Sequence, residues 1–182
     1  MARDSRRKMI ESTVTLLAKR GLDGTSFNDV LAHSGSPRGS VYHHFPNGKD
    51  QLVDAALTLA GERALSVLDA VEGAPPTQVT AHFLDVWRAV LVRSGLQAGC
   101  AVLAVTVATD SDDLLEHAAS VFRAWRARLA ELYVTGGMEA AKAQRMAALV
   151  VAASEGAVVV SRAEKSLEPF ELVAAQLLDL TG

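Results

Sequence analysis

The chain is short of cysteine, proline and aromatic residues: one Cys, five Pro, and two Trp, two Tyr and five Phe in 182 positions. The single cysteine, Cys100, has no partner for an internal disulfide, so a stapled extracellular scaffold is excluded. Pro and Gly gather at a few places, whereas strands would need turn residues about every eight to twelve positions. An all-β reading fails on that count, and an all-α fold is expected. The opening "MARDSRRKMIE" is charged where a secretory signal would be apolar, which together with the lone thiol points to a reducing cytoplasm. A bilayer span takes about 20 apolar residues. "CAVLAVTVA" is too short for that and "MAALVVAASEGAVVV" is cut by Glu155, so no membrane partner is expected.

Chemistry-bearing patterns are equally scarce. There is no H-E-x-x-H and no cysteine cluster. His43 and His44, as helix neighbours, would point about 100° apart, whereas metal pairs on helices use i, i+3 or i+4. Gly48-Lys49 is followed by Asp50 where a phosphate loop needs Ser or Thr. Cys100 sits in an apolar run that would raise its pKa, and the serines are caps or exposed. Neither an enzyme nor a cofactor or metal site is expected.

What the chain does have is enough apolar residue, 49%, for one core or for a small and a larger domain. Its net charge of -3 is unevenly spread. Residues 1–50 sum to +3 and the remainder to -6, so only the first quarter is suited to a polyanion.

Periodicity predicts about nine helices. Ile10, Val14 and Leu17 mark a first helix over 6–20, ended by Gly21. Ser26 and Asp29 form a capping box for a second, 27–33, with Phe27, Val30 and Leu31 inward. Ser34-Gly35 turn the chain. Ser36 as N-cap and Pro37 at the first helical position open a third, 37–44, with Val41 and Phe45 inward. Lys49 opens a long fourth helix to about 71. Further helices are expected over 77–93 with Thr77 as cap, 100–108, from an Asp110/Asp113 box to about 135, over 138–162, and from Pro169.

Two short helices joined by a glycine turn and braced by a preceding helix make a helix-turn-helix unit. Residues 1–48 are read as this DNA-binding domain and 49–182 as a second, helical domain. Ser36, Pro37 and Arg38 lie at the start of the recognition helix, where free N–H groups and the positive dipole end favour phosphate. The eighth helix is apolar nearly all round and needs cover on every side. An isologous homodimer through the eighth and ninth helices supplies it, with Val151, Ala152, Gly156, Val159, Val173 and Leu177 at the interface.

The run "TSFNDVLAHSGSPRGSVYHHF" after an amphipathic first helix, with a basic residue opening the fourth, resembles the TetR family of bacterial transcriptional regulators. More narrowly, "SGSPRGSVYHHFPNGKDQLV" is similar to its LmrA/YxaF-like branch. The general family pattern has Val-Ser-Lys where this chain has Ser36-Pro37-Arg38, so the base-contacting edge differs from that of distant relatives. The resemblance implies a dimeric repressor that places two recognition helices in successive major grooves of a palindromic double-stranded operator. It also implies a C-terminal core whose small-molecule effector shifts the fourth helix and releases DNA.

In that frame Arg38 pairs with guanine or holds a phosphate, Tyr42 holds a phosphate through its hydroxyl, with core packing as the alternative, and His43 points into the groove while His44 packs. Gly39 and Ser40 complete the helix's leading edge. Thr25 and Ser26 cap and offer a donor to phosphate. Lys49 reads as a phosphate anchor, with a solvated lysine as the alternative. Arg3, Arg6 and Arg7 form a basic arm. Phe83, Trp87, Cys100, Leu103, Phe122 and Trp125 either line an apolar cavity for a small hydrophobic or aromatic effector or are plain core. His82, Thr106 and His117 are the polar candidates beside them. The competing reading is a helical small-molecule-binding or interaction protein without specific DNA binding, against which the charge split argues. A hydrolase using His43 or His117 lacks an oriented nucleophile.

Overall fold

A computed structural model describes residues 2–182, with side chains from Asp4 onward. Among the described residues there are nine helices and no strand: α1 (Ala2–Arg20), α2 (Phe27–Ser34), α3 (Arg38–His44), α4 (Lys49–Asp69), α5 (Pro76–Arg93), α6 (Ala101–Thr106), α7 (Asp112–Thr135), α8 (Ala140–Glu164) and α9 (Glu168–Thr181). They fall into two compact units, Met1–Glu62 with Cys100–Val121, and Arg63–Gly99 with Phe122–Gly182. The boundary expected at 48/49 does not coincide with these units. α4 runs on without a break after Lys49, and α6 packs against α1, so the first unit takes in chain from both sides of that point.

In the first unit, α1 is the brace. It contacts α2, α3 and α6 and buries Met9, Ile10, Thr13, Leu16 and Leu17. Val14, expected inward, is only half-buried, because the buried stripe passes through Thr13 and Leu17 instead. Val30 and Leu31 of α2, Val41 of α3 and the following Phe45 close this core with Leu52, Val53, Ala56 and Leu57 of α4. Gly61 lets α4 approach α7 closely; a Cβ there would lie 3.3 Å from the Val121 methyls.

In the second unit, Val79, Phe83, Leu84, Trp87 and Leu91 of α5 are buried, as are Trp125, Leu129, Leu132 and Tyr133 of α7. The Thr80 and Tyr133 hydroxyls share a buried 2.8 Å hydrogen bond. Thr77 Oγ1 donates to the Thr181 carbonyl at 2.8 Å. Arg88 donates two parallel bonds to Glu171, 2.6 and 2.8 Å long. That bidentate pair ties α5 to α9 and holds the Glu171 carboxyl below its ordinary range.

Several helix ends differ from the sequence reading. α1 starts at Ala2, so Arg6 and Arg7 are on a helix and not on an extended arm. Pro37, with φ -61° and ψ 141°, is itself the N-cap of α3 without a side-chain cap bond, and Ser36 is outside the helix. The expected Thr77 cap is replaced by Pro75, again without a side-chain bond. For α7 it is Ser111 that caps, accepting from the Leu114 N–H at 3.4 Å. α8 is, by length and composition alone, apolar enough to cross a bilayer. Half of its most apolar stretch is buried inside the protein, and so is Glu155.

Candidate nucleic-acid interface

The recognition element is assembled from local signals. Asp29 accepts from the Ser26 backbone N–H at 3.0 Å and from the Ser26 hydroxyl, while the Asp29 N–H donates to Ser26 Oγ at 3.2 Å. This reciprocal box satisfies two donors at the start of α2. The Ser26 bonds hold the Asp29 carboxyl below its usual range, with a smaller contribution from Arg20. Arg20 on α1 reaches that carboxylate at 3.3 Å, and His33 Nδ1 lies 3.0 Å from Ser12 Oγ. These contacts set α2 on α1. Gly35 at φ +65° then reverses the chain in the left-handed region that glycine adopts without strain.

α3 is anchored by two side chains. Val41 and Phe45 are fully buried, which fixes the rotation of the helix and turns Arg38, Gly39, Tyr42 and His43 outward. Tyr42 is 67% exposed, and its ring stands edge-on to Phe27 at 5.9 Å. That contact steadies the ring and leaves the hydroxyl at the surface. A Cβ added at Gly39 would meet no atom within 4 Å. Ser40 is half-buried and returns its hydroxyl to the Pro37 carbonyl. His44 is half-buried, its ring near Phe45.

Four further positions are tied more tightly into the unit than the sequence suggests. Thr25 is buried and donates to the Gly21 carbonyl at 2.8 Å. Lys49 Nζ donates to the Leu22 carbonyl at 2.7 Å, so this ammonium already has a protein partner. Arg6 lies over the Phe45 ring, 5.4 Å from its centre, and Arg7 pairs with Asp4 and Glu11. The Arg3 side chain lies outside the described residues. Sequence periodicity does not reveal the Lys49 contact, because Leu22 and Lys49 are 27 positions apart, whereas the Thr25 and Arg7 partners lie within one helical turn.

Of the effector candidates, Phe83, Trp87, Trp125 and Phe122 come together in the second unit. Successive ring centres lie 6.4, 6.5 and 5.4 Å apart, all edge-to-face. Cys100 and Leu103 belong to the first unit, where Cys100 Sγ caps α6 by accepting from the Leu103 N–H at 3.4 Å. Of the dimer candidates, Val151 and Leu177 are closed into their own unit, 5% and 2% exposed. Ala152, Gly156 and Val159 face outward, and Val173 is half-buried.

Residues 9–56 match the family description "Bacterial regulatory proteins, tetR family". Residues 76–176 match "Transcriptional regulator LmrA/YxaF-like, C-terminal domain". Among curated proteins the chain is similar to the uncharacterized HTH-type transcriptional regulator Rv0196 of Mycobacterium tuberculosis, 35% identical over 96% of this chain and 93% of the relative. It is also similar to the HTH-type transcriptional regulator LmrA of Bacillus subtilis, 26% identical over 97% and 96% of the two chains. A crystal structure of regulatory protein TetR from Rhodobacter sphaeroides shares the fold with a TM-score of 0.86, at 19% identity over 98% of this chain and 99% of that one. A TetR transcriptional regulator from Chloroflexus aurantiacus has a TM-score of 0.79 at 27% identity, covering 98% and 94%. The chain therefore belongs to the TetR family of helix-turn-helix transcriptional regulators and carries an LmrA/YxaF-like C-terminal domain.

Proposed function

We propose that the chain acts as a homodimeric repressor that holds a palindromic operator through paired α3 helices and is released by a small hydrophobic effector bound in the C-terminal region. The observation that carries the DNA reading is the division of α3. Val41 and Phe45 are spent on the core, and Arg38, Gly39, Tyr42 and His43 share the exposed side. Arg38 reads a base edge or holds phosphate, and the Tyr42 hydroxyl, Ser36 and the Pro37 end of the helix position the phosphate backbone. Thr25 and Ser26 serve as braces at the start of α2, with their backbone beside the DNA. Lys49 keeps two donors besides the one given to Leu22.

The dimer reading rests on an outward apolar face at helical spacing, Leu149, Ala152, Gly156 and Val159 or Val160 on α8, continued by Leu172 and Leu180 on α9. Leu172 is 66% exposed. Water contact along such a stripe is relieved by a second copy related by a two-fold axis, which also spaces two recognition helices by about one DNA turn, roughly 34 Å. The effector reading rests on the Phe83–Trp87–Trp125–Phe122 ring cluster.

The deciding experiment is selection of random duplexes by the purified protein at two salt concentrations, since nonspecific binding falls steeply with salt. A palindrome enriched at both is the expected result. Enrichment of no sequence at either salt would remove the operator-binding reading.

A further inference from the structure

Resting on the effector reading above, we infer that the effector carries an uncharged hydrogen-bond acceptor that takes the indole N–H of Trp87, making Trp87 the residue that selects it from equally apolar molecules. The indole nitrogen is a donor only. Trp87 is 8% exposed, and among the described residues no acceptor lies within hydrogen-bond reach of its Nε1. Protein interiors leave few such donors unmatched, because each forfeits its hydration without return.

The ring neighbours of Trp87 explain what kind of group would complete it. Phe83 stands edge-to-face at 6.4 Å and Trp125 at 6.5 Å. Phe has no acceptor, and the second indole is a donor itself. A buried water needs two to four polar partners, which these rings do not offer. An acceptor atom carried on an apolar, planar body meets both the N–H and the ring faces. Charge is disfavoured at this place. The adjacent cation, Arg88, is held by Glu171 and Asp85, so an anion at Trp87 would be desolvated without a counter-charge from this turn of α5. The class that fits is neutral aromatic ketones, esters and ethers.

The test uses full-length protein with 15N-labelled tryptophan. The chain holds two tryptophans, so the two indole signals are assigned by Trp87→Phe or, if that variant does not fold, by Trp125→Phe. Two matched probe pairs are titrated, 9-fluorenone against fluorene and benzophenone against diphenylmethane. Each ketone is expected to move the Trp87 indole N–H downfield and to bind about tenfold or more tighter than its hydrocarbon. Trp87→Phe is expected to erase that preference. Equal affinity within both pairs, failure of both ketones to bind, or a preference that survives in Trp87→Phe would overturn the inference. The operator selection separates this from the broader reading. An enriched palindrome without ketone preference removes only the role of Trp87, and ketone preference without an enriched sequence removes only the regulator.

Discussion

Lys49 Nζ donates to the carbonyl of Leu22 at 2.7 Å, fastening the first turn of α4 to the bend between α1 and α2. The same ammonium is the proposed backbone anchor, so its loss has two effects. Lys49→Met is expected to lower stability by about 1 to 2 kcal/mol, since the Leu22 carbonyl loses a charge-assisted bond, and to weaken duplex binding as well. Thermal melting and fluorescence anisotropy on the selected operator measure the two separately. An unchanged melting temperature would mean that the Leu22 contact stabilises nothing.

Gly39 sits in the first turn of a seven-residue helix with open space where a Cβ would go. Glycine costs a helix roughly 1 kcal/mol relative to alanine, and nothing within the unit requires it. Gly39→Ala is expected to hold or raise the melting temperature while reducing operator affinity, because the added methyl stands between α3 and the DNA. Undiminished affinity would place the duplex away from this turn.

Arg38 is exposed and Tyr42 keeps its ring contact with Phe27 if only the hydroxyl is removed. Arg38→Ala and Tyr42→Phe are therefore expected to weaken operator binding and leave the melting curve in place. The slope of log affinity against log salt discriminates their roles. A lost phosphate contact to Arg38 shallows it by about one, and relaxed preference at one base position marks a lost base contact.

The Tyr133 phenol, buried against α5, has its pKa pushed up to about 12 by desolvation, which outweighs the opposing bond with Thr80. Its folded value exceeds the unfolded one, near 10. The stability linked to it is complete below about pH 10 and is lost as pH climbs toward 12. Tyr133→Phe combined with Thr80→Val is expected to flatten that alkaline loss in urea titrations. Tyr133→Phe alone is expected to cost about 1 to 2 kcal/mol at neutral pH by stranding the Thr80 hydroxyl. A wild-type stability that does not change between pH 10 and 12 would contradict this.

Ala152 faces outward at the centre of the apolar stripe on α8. Ala152→Arg places a charge there and is expected to yield a monomer by sedimentation equilibrium, with unchanged helix content and sharply reduced operator affinity. A dimer that persists at low micromolar concentration would move the interface elsewhere.

What could be read from the sequence was whatever is decided within a turn or two. The Ser26–Asp29 box and the inward pair Val41 and Phe45 follow from spacing, and the structure has both. Helix starts at prolines differ from the sequence reading, the cap lying one residue later at Pro37 than Ser36 and two residues earlier at Pro75 than Thr77, because both prolines hold extended ψ values and act as caps themselves. α4 ends before the expected residue 71: its last carbonyls bond three residues on, to Ala70 and Val71, and Gly73 completes the turn at φ +77°. Partners brought together only by the tertiary fold were invisible. Arg88 and Glu171 are 83 positions apart, and that Val151 and Leu177 belong to the core while Ala152 does not depends on how α8 and α9 are rotated against each other.

The compact unit that carries α3 is written in two separate stretches of chain, with α5 encoded between them. Exchange of recognition specificity among relatives is therefore a two-segment transplant. A chimera that swaps only the first 48 residues sets a foreign α1 against the native α6, and mismatched packing on that seam would be mistaken for a failure to recognise the new operator. Carrying Cys100–Val121 along with the N-terminal stretch keeps the seam intact.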